Sequence, residues 1–251
     1  YQGTPAQMAE LTKAAAPVIR ARGAKVVAAS TTMRKTGPTQ KFGKSYGAAM
    51  KKARAWSSVD VLSVHLYPPA KEGPATRVAY IKKTKGYYRK YGAGKKPLWD
   101  TEMNFGDLRG YMKVKRAYTG TAAQTYVART FIDSMRYGVQ RVFWYGWDFN
   151  TLGTAMTQGG TLREGGVAFQ EVRSWMSGKQ WLGCKVKSSV TLCRVAGPTG
   201  TVIGAPVSVA MAPRRRPSVS ARVRARTQLL PRCCCTSAII MVPFLSISTA
   251  L

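Results

Sequence analysis

The sequence predicts an α/β protein in which helices alternate with short strands around a parallel sheet. Three observations predict it. From Tyr1 to about Gly183, helical periodicity is interleaved with short β-rich runs, the pattern of repeated βα units. The chain has 251 residues of which 45% are hydrophobic, enough for one large domain with a buried core. Three of the strand-like runs end in polar or aromatic residues that a buried strand does not need.

The first helix rests on Met8, Leu11, Ala15, Val18 and Ile19, which share one face at 3.6-residue spacing. Gly23 stands where a helix end takes a left-handed residue. Lys25 to Ser30 then reads as a buried strand. A second helix, roughly Ser45 to Trp56, leads to the strand Val59 to His65, and a third, roughly Ala75 to Tyr91, leads to Pro97 to Thr101. The unit recurs at Thr121 to Tyr137, where Ala123, Val127, Phe131, Ile132 and Met135 share a face, followed by the strand Gln140 to Trp147 and a helix over Val167 to Met176. The prediction is four strands and five helices over residues 1–183.

Residues 184–251 read differently. No acidic residue follows residue 171, and from about Ala205 the text is rich in Pro, Arg, Ser and Ala, then Cys233, Cys234 and Cys235, then apolar. A disordered basic tail, a small appended module and a stretch translated out of frame from a GC-rich gene all fit; the last accounts for the composition most directly. Cys184 and Cys193 flank a Lys/Ser/Val segment of hairpin character, so a disulfide closing it is expected, which would imply an oxidising compartment. With one histidine and no CxxC spacing, no zinc site is expected.

The 40 Lys and Arg against 10 Asp and Glu give a formal charge of +30, which favours anionic partners. The cations are spread through nearly every segment and accompany no RNA-binding or helix-turn-helix signature, so a solvated basic surface is the expectation and a nucleic-acid or anionic-polymer binder the rival. No run reaches the ~20 apolar residues needed to cross a bilayer, and the most apolar stretch, Ala238 to Leu251, is interrupted by Pro243, Ser246 and Ser248. No membrane span is expected. Tyr1 opens directly onto a helical pattern without a leader, so the N-terminus reads as truncated.

Three strand ends carry chemistry: Val-His65-Leu-Tyr67-Pro-Pro, Leu-Trp99-Asp100-Thr101-Glu102-Met-Asn104 and Val-Phe-Trp144-Tyr145-Gly-Trp147-Asp148. Where βα units form a barrel, such C-terminal ends build the active site. Their content and spacing resemble strands six, seven and eight of the clan A glycoside hydrolases, the superfamily of many cellulases, mannanases and β-xylosidases. The run ending Trp99-Asp100-Thr101-Glu102 is the most specific, and the resemblance spans about residues 1–176.

The resemblance implies a partial (β/α)8 barrel, about strands five to eight, with an irregular C-terminal tail. It implies Glu102 as nucleophile of a retaining glycosidase acting on a poly- or oligosaccharide, with no cofactor or metal. His65 and Tyr67 would line the sugar subsite, and Trp144 would form its floor, with Trp147 as the alternative. Trp99, Asn104 and Asp148 are weaker candidates. Asp100 is assigned to the opposite face of the strand, paired with a basic neighbour, and is the reserve carboxylate. In the family the acid/base Glu precedes an aromatic-x-Gly-Thr segment resembling Tyr1 to Thr4, so it is expected to lie before Tyr1. Glu10, on a helix behind the barrel, does not replace it. The chain is therefore expected to be inactive alone and secreted in its parent form. A non-catalytic carbohydrate-binding barrel is the rival reading. Sugar, linkage and oligomeric state are not fixed by the sequence.

Overall fold

The computed structural model describes residues 2–33, 38–148, 151–187, 190–197 and 202–208. Its centre is a mixed α/β unit. Four strands, β1 (Thr31–Thr32), β2 (Leu62–His65), β3 (Leu98–Met103) and β4 (Val139–Trp144), lie in sequence order and every pairing is parallel. Helices α2 (Pro38–Lys52), α3 (Pro74–Lys90) and α4 (Gly120–Arg136) make the returns that parallel pairing requires, while α1 (Pro5–Ala21) precedes the sheet and α5 (Glu164–Met176) follows it.

Local chemistry explains the helix ends. Thr4 caps α1 in a reciprocal box with Gln7, and Pro5 follows in the first turn, where its missing N–H costs nothing. α2 begins earlier than its periodicity predicts and ends in a 3-10 turn, Ala55–Ser58, rather than running on to Trp56. In α1 the fully buried stripe is Ala9, Thr12 and Ala16; of the predicted face Met8 and Ile19 pack against the core, whereas Leu11 and Val18 are 55% and 67% exposed. Close packing against α2, where the Thr12 hydroxyl meets that of Tyr46, admits only small side chains. The predicted strand Lys25 to Ser30 survives as a bridge between Val27 and Val61, with regular pairing only at β1.

One face of the sheet is closed by the helices: Leu62, Val64, Leu98, Asp100 and Val142 are all buried. The other face carries Ser63, Trp99, Thr101, Arg141 and Phe143. Ser30, Ser63 and Thr101 are linked hydroxyl to hydroxyl across three segments. The Arg141 guanidinium lies 4.4 Å from the centre of the Trp99 ring.

Past α5 the chain forms a second, antiparallel sheet of β7 (Gln180–Lys187), β8 (Val190–Ala196) and β9 (Val202–Ser208), preceded by a small ribbon of β5 (Thr157–Gln158) and β6 (Thr161–Leu162). The expected boundary after residue 183 lies within β7, and beyond it β8 and β9 reach residue 208. Cys184 and Cys193 are directly opposed in the ladder and form a disulfide. Cys193 and Val195 join the main core. Residues 209–251, including the cysteine run, lie outside the described residues.

The helix layer is locked by one buried ion pair. Arg77 on α3 donates from Nε and Nη2 to Asp100 Oδ2 on β3 at 3.1 and 2.6 Å, and its other donors reach the Thr130 carbonyl and the Ser134 hydroxyl on α4. Both partners are essentially unexposed, at 1% and 0%. Burial pushes the Asp100 carboxyl above its usual range, opposed by Arg77 and by the Leu66 N–H. Breaking such a pair strands a charge in the core, whereas removing both charges does not. In urea unfolding, Arg77→Met alone is expected to lose about 3–5 kcal/mol, and Arg77→Met with Asp100→Leu to recover much of it. A single-variant loss below about 1 kcal/mol would show that the pair does not bind the layers together.

Candidate active site

The three strand ends predicted to carry chemistry lie side by side. His65 ends β2, Glu102 lies in the last turn of the pleat on β3, and Trp144 ends β4. Their alignment depends on a pairing irregularity. Val64 pairs with Asp100, but the next residue, His65, pairs with Glu102 rather than Thr101. Against β4 the same thing happens, with Asp100 opposite Val142 and Met103 opposite Trp144. One extra residue on β3 is the signature of a bulge, which re-aims the side chains beyond it.

The consequence is chemical. Asp100 and Glu102 are two residues apart and in a regular strand would face the same way. Here Asp100 turns to Arg77 among the helices, while Glu102 turns with His65 to the other side. His65 Nδ1 donates to Glu102 Oε2 at 2.7 Å, and the two side chains are 25% and 29% exposed. Tyr67 stands edge-on to His65, with ring centres 6.4 Å apart, and its hydroxyl is hydrogen-bonded to Glu102. Burial first, and the Glu102 carboxylate second, push the Tyr67 phenol above its ordinary pKa, so it stays a donor. The result is a partly exposed carboxylate held between an imidazole N–H and a phenol O–H.

The remaining candidates separate. Trp144 is half-buried against Phe105, at a centroid distance of 6.3 Å, and its indole nitrogen is buried without a hydrogen-bond partner among the described residues. Trp147 is turned toward α5, edge-on to Phe169 at 4.9 Å, and belongs to the packing of that helix. Trp99 lies on the uncovered sheet face, with one side of its ring taken by Arg141 and Phe143 beside it. Asp148 accepts from the Gly159 and Gly160 N–H groups and so holds the β5–β6 turn.

Asn104, a weaker candidate in the sequence, is engaged by backbone. It is 2% exposed; its Nδ2 donates to the Tyr145 and Thr154 carbonyls at 2.7 and 3.0 Å, and its Oδ1 accepts from Phe105 N–H at 2.6 Å. Every polar atom is used by backbone, leaving none for a sugar. Asn104 instead ties the end of β3 to the end of β4. The reading also missed Asp107, which is fully buried and whose carboxylate accepts from the N–H groups of Arg109, Gly110 and Met112, shaping the loop beyond β3. An Asp three residues before a Gly in a loop was the available signal. Gly106 and Gly153 bring that loop against the β4–α5 loop; a Cβ on either would lie 2.3 or 2.2 Å from the Arg116 carbonyl oxygen.

A parallel sheet with helical returns, and a carboxylate held by an imidazole and a phenol at its strand tips, defines a hydrolase-like active-site scaffold. Residues 2–175 match the family described as glycosyl hydrolase catalytic core, and the chain belongs to that family. A glucosidase from Croceicoccus marinus superposes with a TM-score of 0.54 at 14% identity, covering 78% of this chain and 44% of its own; the likeness is one of fold. A family 39 β-xylosidase from Caulobacter crescentus (TM-score 0.46, 14% identity, 74% of this chain and 42% of its own) and a family 128 endo-β-1,3-glucanase from Amycolatopsis mediterranei (0.45, 22%, 64% of each) are more distant. The chain spans less than half the length of the glucosidase and of the β-xylosidase. No curated protein matches its sequence. No helix among the described residues is long and apolar enough to cross a membrane.

The division between framework and reactive residues is measurable. Asn104→Ala unties two buried carbonyls and an N–H and is expected to cost about 2–4 kcal/mol of stability, while Glu102→Gln, at a partly exposed position that keeps an acceptor for His65, should change it by less than about 1 kcal/mol. Equal losses in chemical denaturation would contradict the assignment.

Proposed function

We propose that the chain is the part of a retaining glycosidase that carries the nucleophile Glu102, on strands five to eight of a (β/α)8 barrel. The observation that carries this reading is the Glu102 carboxylate at a strand tip, with His65 Nδ1 at 2.7 Å and the Tyr67 hydroxyl as its second donor. The two donors orient the carboxylate at the strand tip, from where it would attack an anomeric carbon. The face carrying Ser63, Trp99, Thr101, Arg141 and Phe143, opposite the one that holds the Asp100–Arg77 pair, is the face a closed barrel would enclose. Trp144 serves as the apolar floor against which a sugar ring packs, with Tyr67 at its rim.

The chemistry is a double displacement. Glu102 displaces the aglycone to give a glycosyl ester, and water then hydrolyses it with net retention, without metal or cofactor. A second carboxyl group about 5–5.5 Å away must protonate the leaving oxygen. None of the other nine acidic residues is placed to do so. Asp100 is held by Arg77, Asp60 by Arg20, Asp133 by Arg129 and Glu10 by Lys13, while Asp107 and Asp148 are engaged with backbone N–H groups. Glu72 is bonded to Thr76, and Glu164 and Glu171 lie on α5. The acid must therefore come from outside this chain, and the 251 residues by themselves are inactive on ordinary glycosides. The Cys184–Cys193 bridge supports a secreted parent enzyme.

Good leaving groups test the nucleophile without the acid. A panel of dinitrophenyl 2-deoxy-2-fluoroglycosides, which lose dinitrophenolate without protonation, is expected to place a fluoroglycosyl group on the peptide bearing Glu102, and Glu102→Gln to abolish it. A label on Asp100 or another carboxylate would overturn the assignment. Saturable sugar binding with no label under any member of the panel would favour the non-catalytic carbohydrate-binding barrel.

A further inference from the structure

The opposite end of the sheet carries a second feature, unrelated to Glu102. Two adjoining depressions of about 620 and 240 Å³ open where α3 and α4 end and β3 begins. Lys82, Lys85, Arg89 and Arg136 line the larger; Lys85 recurs in the smaller with Lys95 and Lys96. Six cations thus share one concave surface, and no carboxylate lines either part.

What holds these cations distinguishes them from the ion-paired basic residues. Arg20, Arg77, Arg129, Arg163 and Lys13 each meet a carboxylate. In the depressions the partners are neutral. Lys82 and Arg136 sit 5.1 Å from the centre of the Tyr137 ring, Lys85 donates to the Tyr137 carbonyl at 2.8 Å, and Lys96 donates to the Val59 carbonyl at 2.6 Å. These contacts position the side chains while leaving their charge uncompensated. Asp60 acts on Lys96 at a distance, but its oxygens are engaged by Arg20 at 2.8 Å and Val26 N–H at 2.7 Å. The C-termini of α3 and α4 contribute about half a negative charge each, which absorbs about one of six positive charges.

We propose that this surface binds an acidic polysaccharide, its six cations meeting carboxylate or sulfate groups of the polymer. The surface is concave, as a short run of sugar rings requires. The Tyr137 ring, the aromatic residue at its centre, is attended by Lys82 and Arg136 and offers no open platform for base stacking, on which single-stranded nucleic-acid binders depend. The four-residue rise from Leu98 to Glu102 separates it from the carboxylate by about 13 Å along the strand, so a polymer held here does not fill the candidate active site. The inference does not depend on hydrolysis: a chain never labelled at Glu102 leaves it untouched.

The test uses the full 251-residue chain with polygalacturonate, heparin, laminarin and oligothymidylate as probes, titrated at low and high salt. Polygalacturonate or heparin is expected to bind, more weakly as salt rises, and laminarin not at this surface. Lys82→Gln with Lys85→Gln and Arg136→Gln should weaken binding about tenfold or more, whereas the equal-charge control Arg22→Gln with Lys51→Gln and Lys52→Gln should cost less than about threefold. Lys95→Gln with Lys96→Gln, away from the helix packing, serves should the triple variant fail to fold, and is expected to weaken binding about threefold or more. Equal losses in variant and control would overturn the proposal by assigning binding to diffuse charge. Tighter binding of oligothymidylate than of either polysaccharide, or binding of none, would overturn it too.

Discussion

One extra residue near the end of β3 decides what this site is. Regular alternation would send Asp100 and Glu102 to the same face, where both would compete for Arg77 or both would stand in the open. The change of register, from Val64 opposite Asp100 to His65 opposite Glu102, gives the two carboxylates different surroundings. Asp100 becomes a buried anchor for two helices, and Glu102 becomes a partly exposed group held by His65 and Tyr67. A structural carboxylate and the proposed nucleophile are thereby placed two residues apart on one strand.

The bulge is kept in place by groups on both sides of it. Below, Asp100 accepts from Arg77 and, through its other oxygen, from Leu66 N–H at 3.2 Å, so the ion pair also fixes the backbone between His65 and Tyr67. Above, Asn104 fastens the chain to the end of β4, and Asp107 organises the loop that follows. Asp100, Asn104 and Asp107 are each satisfied by backbone or by Arg77, which is how such an expensive set of groups is tolerated in a core. The donors to Glu102 are therefore mounted on elements that have little freedom to move.

Much of the architecture was legible in the sequence, because periodicity reports burial. The five helices and the order of the parallel strands follow from apolar spacing and from glycine and proline at the ends. Where packing partners matter, the sequence misleads: Leu11 and Val18 complete an apolar stripe on α1, yet the close approach of α2 selects the small side of that helix. After residue 180 the hairpin between Cys184 and Cys193 was legible from its Lys/Ser/Val segment, but the third strand, Val202–Ser208, was not. The partners of Asp100 followed the same logic. A basic neighbour was readable, but Arg77 is one of many cations in α3, and only the fold marks it as the buried one. The bulge was not readable at all, since it exists as a mismatch between three strands rather than as a pattern in any one. Asn104 stood as a weaker candidate because strand-end position does not reveal whether an amide faces a cleft or its own backbone.

The chain has a single histidine, so its imidazole nitrogens can be observed without ambiguity by ¹⁵N NMR of histidine-labelled protein. A bulge that pairs His65 with Glu102 predicts a proton held on Nδ1, with Nδ1 resonating as a hydrogen-bonded N–H and changing on Glu102→Gln. An imidazole with its proton on Nε2, unaffected by that substitution, would contradict the placement of Glu102 on which the site is built.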